Sequence, residues 1–182
     1  MGRSITTEEW RLRLEERKDA LLAEVSAWPT ALQAHRPADG EWSALEVLDH
    51  LVRTEVAICG EVARHVIAPR RIRVWDRAGV AMVDRAFASR KRLKVPDSVK
   101  DLISPREGLD LEGIVSEWNG ARVRLAELIR EAEGCRGGVF RHPVGGWMSF
   151  KQVLRFFEVH MMHHGYQLER IAAERGSTSR SR

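Results

Sequence analysis

The chain has 182 residues, of which 43% are hydrophobic and 31% are charged, and its net charge at pH 7 is +4. This length is typical of one domain, and the composition excludes both a disordered chain and a membrane-embedded one. No apolar run approaches the roughly 20 residues that a membrane span requires. Residues 1–19 also lack the apolar stretch of a signal peptide, so we expect a cytoplasmic protein with no membrane partner.

The two cysteines, Cys59 and Cys135, are far apart in the sequence, and neither has a CxxC partner. Two isolated thiols form neither a disulfide framework nor a metal-binding motif. We therefore expect ordinary core or surface residues in a reducing compartment.

Apolar residues at helical spacing predict two long helices in the first third of the chain. The first covers about residues 7–28 and stops at Pro29. The second begins at Ser43, where Glu46 three residues later has the spacing of a capping box, and it ends before Pro69.

The segment that follows, residues 68–109, is irregular and long for a connection within a bundle, and such connections are usually functional or partly ordered. We expect a short helix at about residues 80–88 inside it. Residues 70–94 of this segment concentrate the positive charge, and Asp76 and Asp84 are the only acids among them. These basic residues are Arg70, Arg71, Arg73, Arg77, Arg85, Arg90, Lys91, Arg92 and Lys94.

A basic stretch of this kind can bind nucleic acid, but no recognisable nucleic-acid-binding motif accompanies it. We expect instead a solvated connection beside a pocket for an anionic substrate, and no nucleic-acid partner.

Two more long helices are predicted in the last third of the chain. The third covers about residues 110–133, and the fourth begins at Ser149, where Gln152 gives a second capping-box pattern, and closes at Gly176. Strand alternation is not convincing anywhere, although residues 138–140 leave room for a short strand. The sequence thus predicts an all-α four-helix bundle with long crossover connections, in a single domain over residues 1–176, with a disordered polar tail over 177–182.

The strongest chemical signal is the segment His160-Met161-Met162-His163-His164. Histidines four apart share one face of a helix and can bind one metal ion together, and a pair three apart would also fit. At about 100° per residue, His164 lies some 20° and His160 about 60° from the apolar stripe through Phe157, whereas His163 lies near 120°. The pair that faces the interior is therefore His160 and His164.

A single histidine on an apolar face is usually a satisfied core residue. Two of them on a face filled by Phe and Leu are harder to explain in that way, because burying unpaired polar groups costs free energy. A metal ion removes this cost by accepting one lone pair from each ring.

A third ligand should come from another helix, and the residues leave His50, His65 and His142 as candidates. His50 is near the start of the second helix, but it falls on a flank with Thr54 and Ala57 rather than on the main apolar stripe. Spacing alone therefore favours His50 only slightly over His65.

Residues 41–51, with Trp42-Ser43 leading to His50-Leu51, and residues 160–167 resemble the two signature stretches of DinB-like proteins. In that family a Trp-Ser start leads into a helix with one ligand histidine, and a later helix supplies an H-x3-H pair followed by a glutamine. Residues 142–149 resemble the family's lead-in to its last helix, and the likeness spans about residues 10–171. The resemblance implies a four-helix bundle in which His50, His160 and His164 are the metal ligands.

Relatives in this family include bacillithiol and mycothiol S-transferases and metal-dependent hydrolases. Three histidines leave a coordination position open, as in catalytic metal sites, and imidazole suits divalent transition metals, with zinc or nickel expected here. We therefore expect a metal-dependent thiol transferase or hydrolase that acts on a small molecule, with a low-molecular-weight thiol as a candidate partner. The alternative is a non-catalytic metal-binding or interaction protein of the same fold.

Three other side chains carry expectations about the surroundings of the site. Glu55 lies near the centre of the apolar stripe of its helix, where it could support a ligand histidine or act as an acid–base group. We favour a pairing with an arginine of another helix. Trp42 and Trp147 precede the second and fourth long helices and could line a shared pocket mouth, although aromatic residues in this position more often serve as hydrophobic staples.

The first and third long helices carry more apolar residues than one narrow stripe requires, which predicts a homodimer through a helical face. These residues are Trp10, Leu12, Leu14, Leu21, Leu22, Trp118, Val123 and Leu125.

Overall fold

The structure is a computed structural model that describes residues 5–38, 40–90 and 104–178. Its elements in chain order are α1 (Thr7–Ser26), α2 (Thr30–Gln33), α3 (Ala44–His65), α4 (Val74–Phe87), α5 (Leu111–Glu131), β1 (Phe140–His142), β2 (Gly146–Met148) and α6 (Phe150–Thr178). The predicted tail lies outside the described residues from position 179 onward, as do Lys91, Arg92 and Lys94.

The four long helices α1, α3, α5 and α6 form the predicted bundle. Helices α1 and α3 each pack against both α5 and α6, and their apolar faces form one continuous core. Among the described helices, none is long and apolar enough to cross a lipid bilayer.

The helix starts follow the predicted caps. The Ser43 hydroxyl accepts the backbone N–H of Glu46 at 3.3 Å, and the Glu46 carboxylate accepts the N–H of Ser43 at 2.8 Å, which completes the capping box of α3. At the start of α6, the Gln152 side-chain oxygen accepts the N–H of Ser149 at 2.8 Å. Helix α6 continues beyond the predicted stop at Gly176 to Thr178.

The connection after α3 contains more structure than the sequence predicts. Helix α4 starts at Val74, six residues before the expected position, because the Asp76 carboxylate caps this end by accepting the N–H of Arg73 at 2.7 Å. The same carboxylate accepts the N–H of Trp147 at 3.2 Å. The second of these bonds ties α4 to a hairpin in which Phe140 pairs with Met148 and His142 with Gly146. Strands of three residues are too short for alternation to reveal them, and the described residues contain no larger sheet.

Most of the apolar residues that suggested a dimer face belong to the core. Trp10, Leu14, Leu21, Trp118 and Leu125 are buried, because α1 and α5 each contact two other long helices and need a wide apolar face. Leu12 and Val123 remain exposed. The homodimer stays a prediction, supported by these two side chains.

Candidate metal centre

Three histidines from two helices meet in the bundle interior. The Nε2 atom of His160 on α6 lies 3.1 Å from Nε2 of His50 on α3 and 3.1 Å from Nε2 of His164. One nitrogen from each ring lies within 4.8 Å of the other two, and all three side chains are buried. Three nitrogen atoms at this spacing could hold one metal ion, since metal–nitrogen bonds of about 2.0–2.1 Å place ligand atoms roughly 3–3.5 Å apart.

His160 and His164 meet because they are four residues apart on the buried face of α6, as the spacing predicts. His50 reaches them although the helical wheel places it on a flank of α3. Every residue from Ala44 to Val52 is buried, so the first turns of α3 are enclosed by protein on all sides. A flank position in these turns therefore faces the interior as well.

Burial keeps the α6 imidazoles neutral. Loss of solvent, followed by the proximity of His164 and His50, holds the pKa of His160 well below its ordinary value of 6.5. The pKa of His164 is likewise well below that value, mainly because the ring is buried and also because His50 is near. A neutral imidazole retains the lone pair that a metal ion requires.

The Gln167 side chain fixes the orientation of His164. Its Oε1 atom lies 2.9 Å from Nδ1 of His164. An amide oxygen can only accept a hydrogen bond, so Nδ1 carries the proton and Nε2 is left with its lone pair directed at His160. A hydrogen bond to the distal nitrogen is the usual support of a metal-binding histidine.

Aromatic rings surround the three imidazoles. The Trp42 ring centre lies 4.8 Å from that of His50, and it stacks on His164 at 6.3 Å. The position of Trp42 just before the cap of the His50 helix allowed a place at a pocket mouth, but the sequence favours a staple and does not predict this contact. On the other side, Phe156 stacks on His160 at 5.3 Å, and Phe87 from α4 meets it edge-on at 5.2 Å.

His163 lies beside the centre but does not join it. Its Nδ1 atom faces the backbone oxygen of Ser89 at 3.3 Å, and its ring contacts Phe87. This is the orientation that the helical wheel predicts.

The two other candidates for the third ligand have different contacts. The His65 ring packs edge-on against Trp147 at 5.1 Å. His142 lies at the end of β1, where its Nδ1 accepts the N–H groups of Val144 and Gly145 at 3.2 and 3.0 Å. Burial lowers the pKa of His142 to about 4, so it serves the hairpin turn as a neutral acceptor.

Glu55 makes the interhelical pairing that we favoured. Its carboxylate lies 3.2 Å from Arg122 on α5 and accepts the indole N–H of Trp118 at 3.1 Å. Burial raises the pKa of Glu55 despite the nearby guanidinium. These contacts join α3 to α5 and give no support to the acid–base role that its sequence position allowed.

The fold and these contacts define a class: helical-bundle proteins with a candidate three-histidine metal centre between two helices. The family model of the DinB superfamily matches residues 13–168, which is most of the chain, and the chain belongs to that superfamily. The solved structure of TT2238, a four-helix bundle protein, is similar with a TM-score of 0.59, covering 89% of this chain and 97% of that one at 22% identity. At that identity the likeness shows the fold alone. No curated protein matches the chain significantly.

Proposed function

We propose that this protein is a metal-dependent enzyme that acts on a small molecule as a thiol transferase or hydrolase, with His50, His160 and His164 holding the metal ion. The observation that carries the proposal is the meeting of three buried imidazole nitrogens, two of them 3.1 Å from the third. Membership of a superfamily with metal-binding members supports it.

The donor set fits a divalent transition metal such as zinc or nickel. Neutral imidazoles suit these ions, and three protein ligands leave a coordination position for water or substrate. An ion held by these histidines would lower the pKa of a coordinated water or thiol towards neutrality and would polarise a reacting group.

The residues around the three histidines orient the rings and limit access of water. Gln167 holds the proton of His164 on Nδ1, so that Nε2 faces the common point. Trp42, Phe87 and Phe156 cover the rings with apolar surface. A water-poor environment strengthens the electrostatic effect of any charge held there.

The alternative is a metal-binding protein of the same fold without turnover. One observation favours it: Glu55, the acid–base candidate in the sequence, is paired with Arg122 and Trp118. An enzyme of this kind would have to rely on its metal ion and its substrate for proton transfer.

Elemental analysis after zinc or nickel loading tests the centre. We expect one equivalent of metal in the wild-type protein, loss of it in His160→Ala and His164→Ala, and retention in His163→Ala, a neighbouring histidine on the same helix. A wild-type protein that retains no metal after loading, or a His163→Ala variant that loses it while His164→Ala keeps it, contradicts the assignment.

Activity is tested on the metal-loaded protein with low-molecular-weight thiols plus electrophiles, and separately with hydrolysable esters and amides. Turnover that His160→Ala abolishes and His163→Ala keeps supports the enzyme. A loaded protein that turns over none of these substrates favours the non-catalytic alternative.

A further inference from the structure

Five large apolar side chains are exposed on the turn after α3, on α4 and on the hairpin turn. Ile67, in the turn after α3, is 86% exposed, and Val74 and Trp75, at the start of α4, are 78% and 65% exposed. Met82 on α4 and Val144 in the hairpin turn are exposed as well. Side chains that are open to solvent to this extent project from the surface instead of lining a groove.

We call the region that carries these five residues the α4 surface. Trp75 and Met82 are seven residues apart on α4, so they lie about 20° from each other around the helix. Gly79, between them, packs so closely on the hairpin turn that an added Cβ would lie 2.7 Å from the oxygen of Gly145, the neighbour of Val144. The loop after Ile67 pairs with the opposite, open end of the hairpin through backbone bonds between Arg70 and Gly138.

The α4 surface is also strongly positive. Arg70, Arg71, Arg73 and Arg85 are exposed, and within the described part of the chain none of their guanidinium groups forms an ion pair. The two acids of this stretch have other contacts. Asp76 accepts backbone N–H groups, and Asp84 pairs with Arg155 at 3.2 Å.

This combination of charge and shape restricts what can cover the surface. A second copy related by a two-fold axis would place arginines against arginines. Nucleic-acid phosphates would pair with the arginines but would leave Ile67, Val74 and Met82 in water. An acidic protein would need a recess for each projecting apolar side chain.

We propose that the α4 surface binds the face of a lipid bilayer that carries anionic headgroups. Trp75, with the Arg73 guanidinium 5.1 Å above its ring, has the amphipathic character of residues that sit at the level of lipid headgroups. Ile67, Val74 and Met82 enter the boundary with the acyl chains, and the arginines pair with the headgroups. Binding of this kind needs no spanning helix, and it is independent of the metal centre.

Co-sedimentation of the full-length protein with vesicles tests this proposal. We expect binding to phosphatidylcholine vesicles that contain phosphatidylglycerol, none to phosphatidylcholine alone, and a decline as salt rises. Arg70→Gln/Arg71→Gln should weaken binding by more than tenfold, since each basic residue near an anionic surface contributes about fivefold. Trp75→Ser should weaken it by about tenfold, whereas Val56→Ser, an exposed apolar residue of α3, should leave it unchanged.

Each alternative occupant gives a different result. Failure to bind the anionic vesicles, or binding that both α4-surface variants leave unchanged, overturns the proposal. It is also overturned by light scattering that gives a dimer in the wild type and a monomer in Trp75→Ser, which assigns the surface to a second copy. Binding of duplex DNA or polyglutamate in preference to vesicles, lost in the arginine variant and kept in Trp75→Ser, assigns it to a purely electrostatic partner. All the substituted side chains are exposed, so loss of binding with an unchanged circular dichroism spectrum cannot come from misfolding.

Discussion

A single hydrogen bond decides what the ring of His164 can do. Because Gln167 presents an oxygen at 2.9 Å, Nδ1 of His164 must donate, and the lone pair of Nε2 points at His160. Without this acceptor, the ring can place its proton on either nitrogen and can rotate. Gln167 therefore orients one ring of the candidate centre, although it does not contact the other two histidines.

Gln167→Leu is expected to reduce metal affinity by about 10–100-fold, the usual effect of losing the partner of a ligand histidine. Gln167→Glu keeps an acceptor at the same place and should retain most of the affinity. Competition with a chelator measures both. Equal affinities for the wild type and the leucine variant would contradict the orienting role.

His142 shows how a buried neutral histidine links stability to pH. Its folded-state pKa is about 4, below the ordinary 6.5, because burial disfavours the charged ring. As the pH falls below about 6.5, His142 binds a proton in the unfolded chain but not in the folded chain, so the free energy of unfolding falls. The loss amounts to about 1.4 kcal/mol per pH unit and ends near pH 4, where the folded chain is protonated too.

His142→Asn should remove this contribution while keeping the turn, because an asparagine oxygen can accept the same two backbone N–H groups. We expect the stability difference between wild type and variant to change by about 3 kcal/mol between pH 7 and pH 4. Urea unfolding with a chelator present measures it at each pH. A difference that stays constant with pH would show that His142 does not titrate in this way.

The residues of the centre differ in how far the sequence could predict them. His160 and His164 follow from helical spacing alone, because both lie on one face of one helix. His50 could not be assigned in this way, since a wheel assumes one buried face and the start of α3 is buried all round. The sequence could not predict the contact of Phe87 with His160. Phe87 is at the end of α4, and the packing of α4 depends on a hydrogen bond to Trp147, which is distant in the sequence.

At the scale of elements, helices with long apolar stripes were predictable and short elements were not. Helices α1, α3, α5 and α6 each repeat the stripe over several turns, and a capping box fixes the start of α3. Helix α4 buries only Asp76, Val80 and Val83. Two buried apolar residues are too few for helical periodicity to predict where the helix starts. The hairpin depends on a pairing that no local pattern encodes.

The contact between α4 and the hairpin depends on the absence of a side chain at Gly79. An added Cβ would lie 2.7 Å from the backbone oxygen of Gly145, whose N–H is bonded to His142, while Gly79 itself is inside α4. Gly79→Ala should therefore destabilise the protein by about 1–3 kcal/mol, the usual effect of overpacking. Thermal or urea unfolding measures the change.

Gly120 on α5 is the matched control, because an added Cβ would have nothing within 4 Å. Gly120→Ala should stabilise the protein by about 0.5–1 kcal/mol, since alanine is the better helix former. If Gly79→Ala is stabilising to the same degree, the close approach of α4 to the hairpin is wrong.

At the scale of the whole molecule, the residues on either side of segment 91–103 contact neighbours of the candidate centre. Before it, Arg90 stacks on Tyr166 at 4.3 Å, two residues after His164. After it, Arg106 binds the fully buried Asp49, the neighbour of His50, through its backbone and its guanidinium at 3.0 Å. The basic connection of residues 68–109 is thus attached beside the histidines at Arg90 and at Arg106.

The apolar residues that α1 and α5 leave exposed bear on self-association. The sequence predicts a homodimer from the apolar excess of α1 and α5, and the core accounts for most of that excess. Leu12 on α1 and Val123 on α5 are what remains, at 48% and 64% exposure. Single exposed apolar residues are common on monomers, so a dimer through this face must depend on these two side chains.

Light scattering at micromolar concentration should give twice the mass of one chain for the wild type. It should give the mass of one chain for Leu12→Ser/Val123→Ser, because each substitution replaces apolar area at the proposed contact with a hydroxyl that water solvates better. Val56→Ser, which changes an exposed valine of α3, should leave the dimer intact. If the wild-type protein has the mass of one chain, the dimer prediction is wrong. The apolar residues of α1 and α5 then serve only the core of the bundle, and Leu12 and Val123 are isolated surface residues.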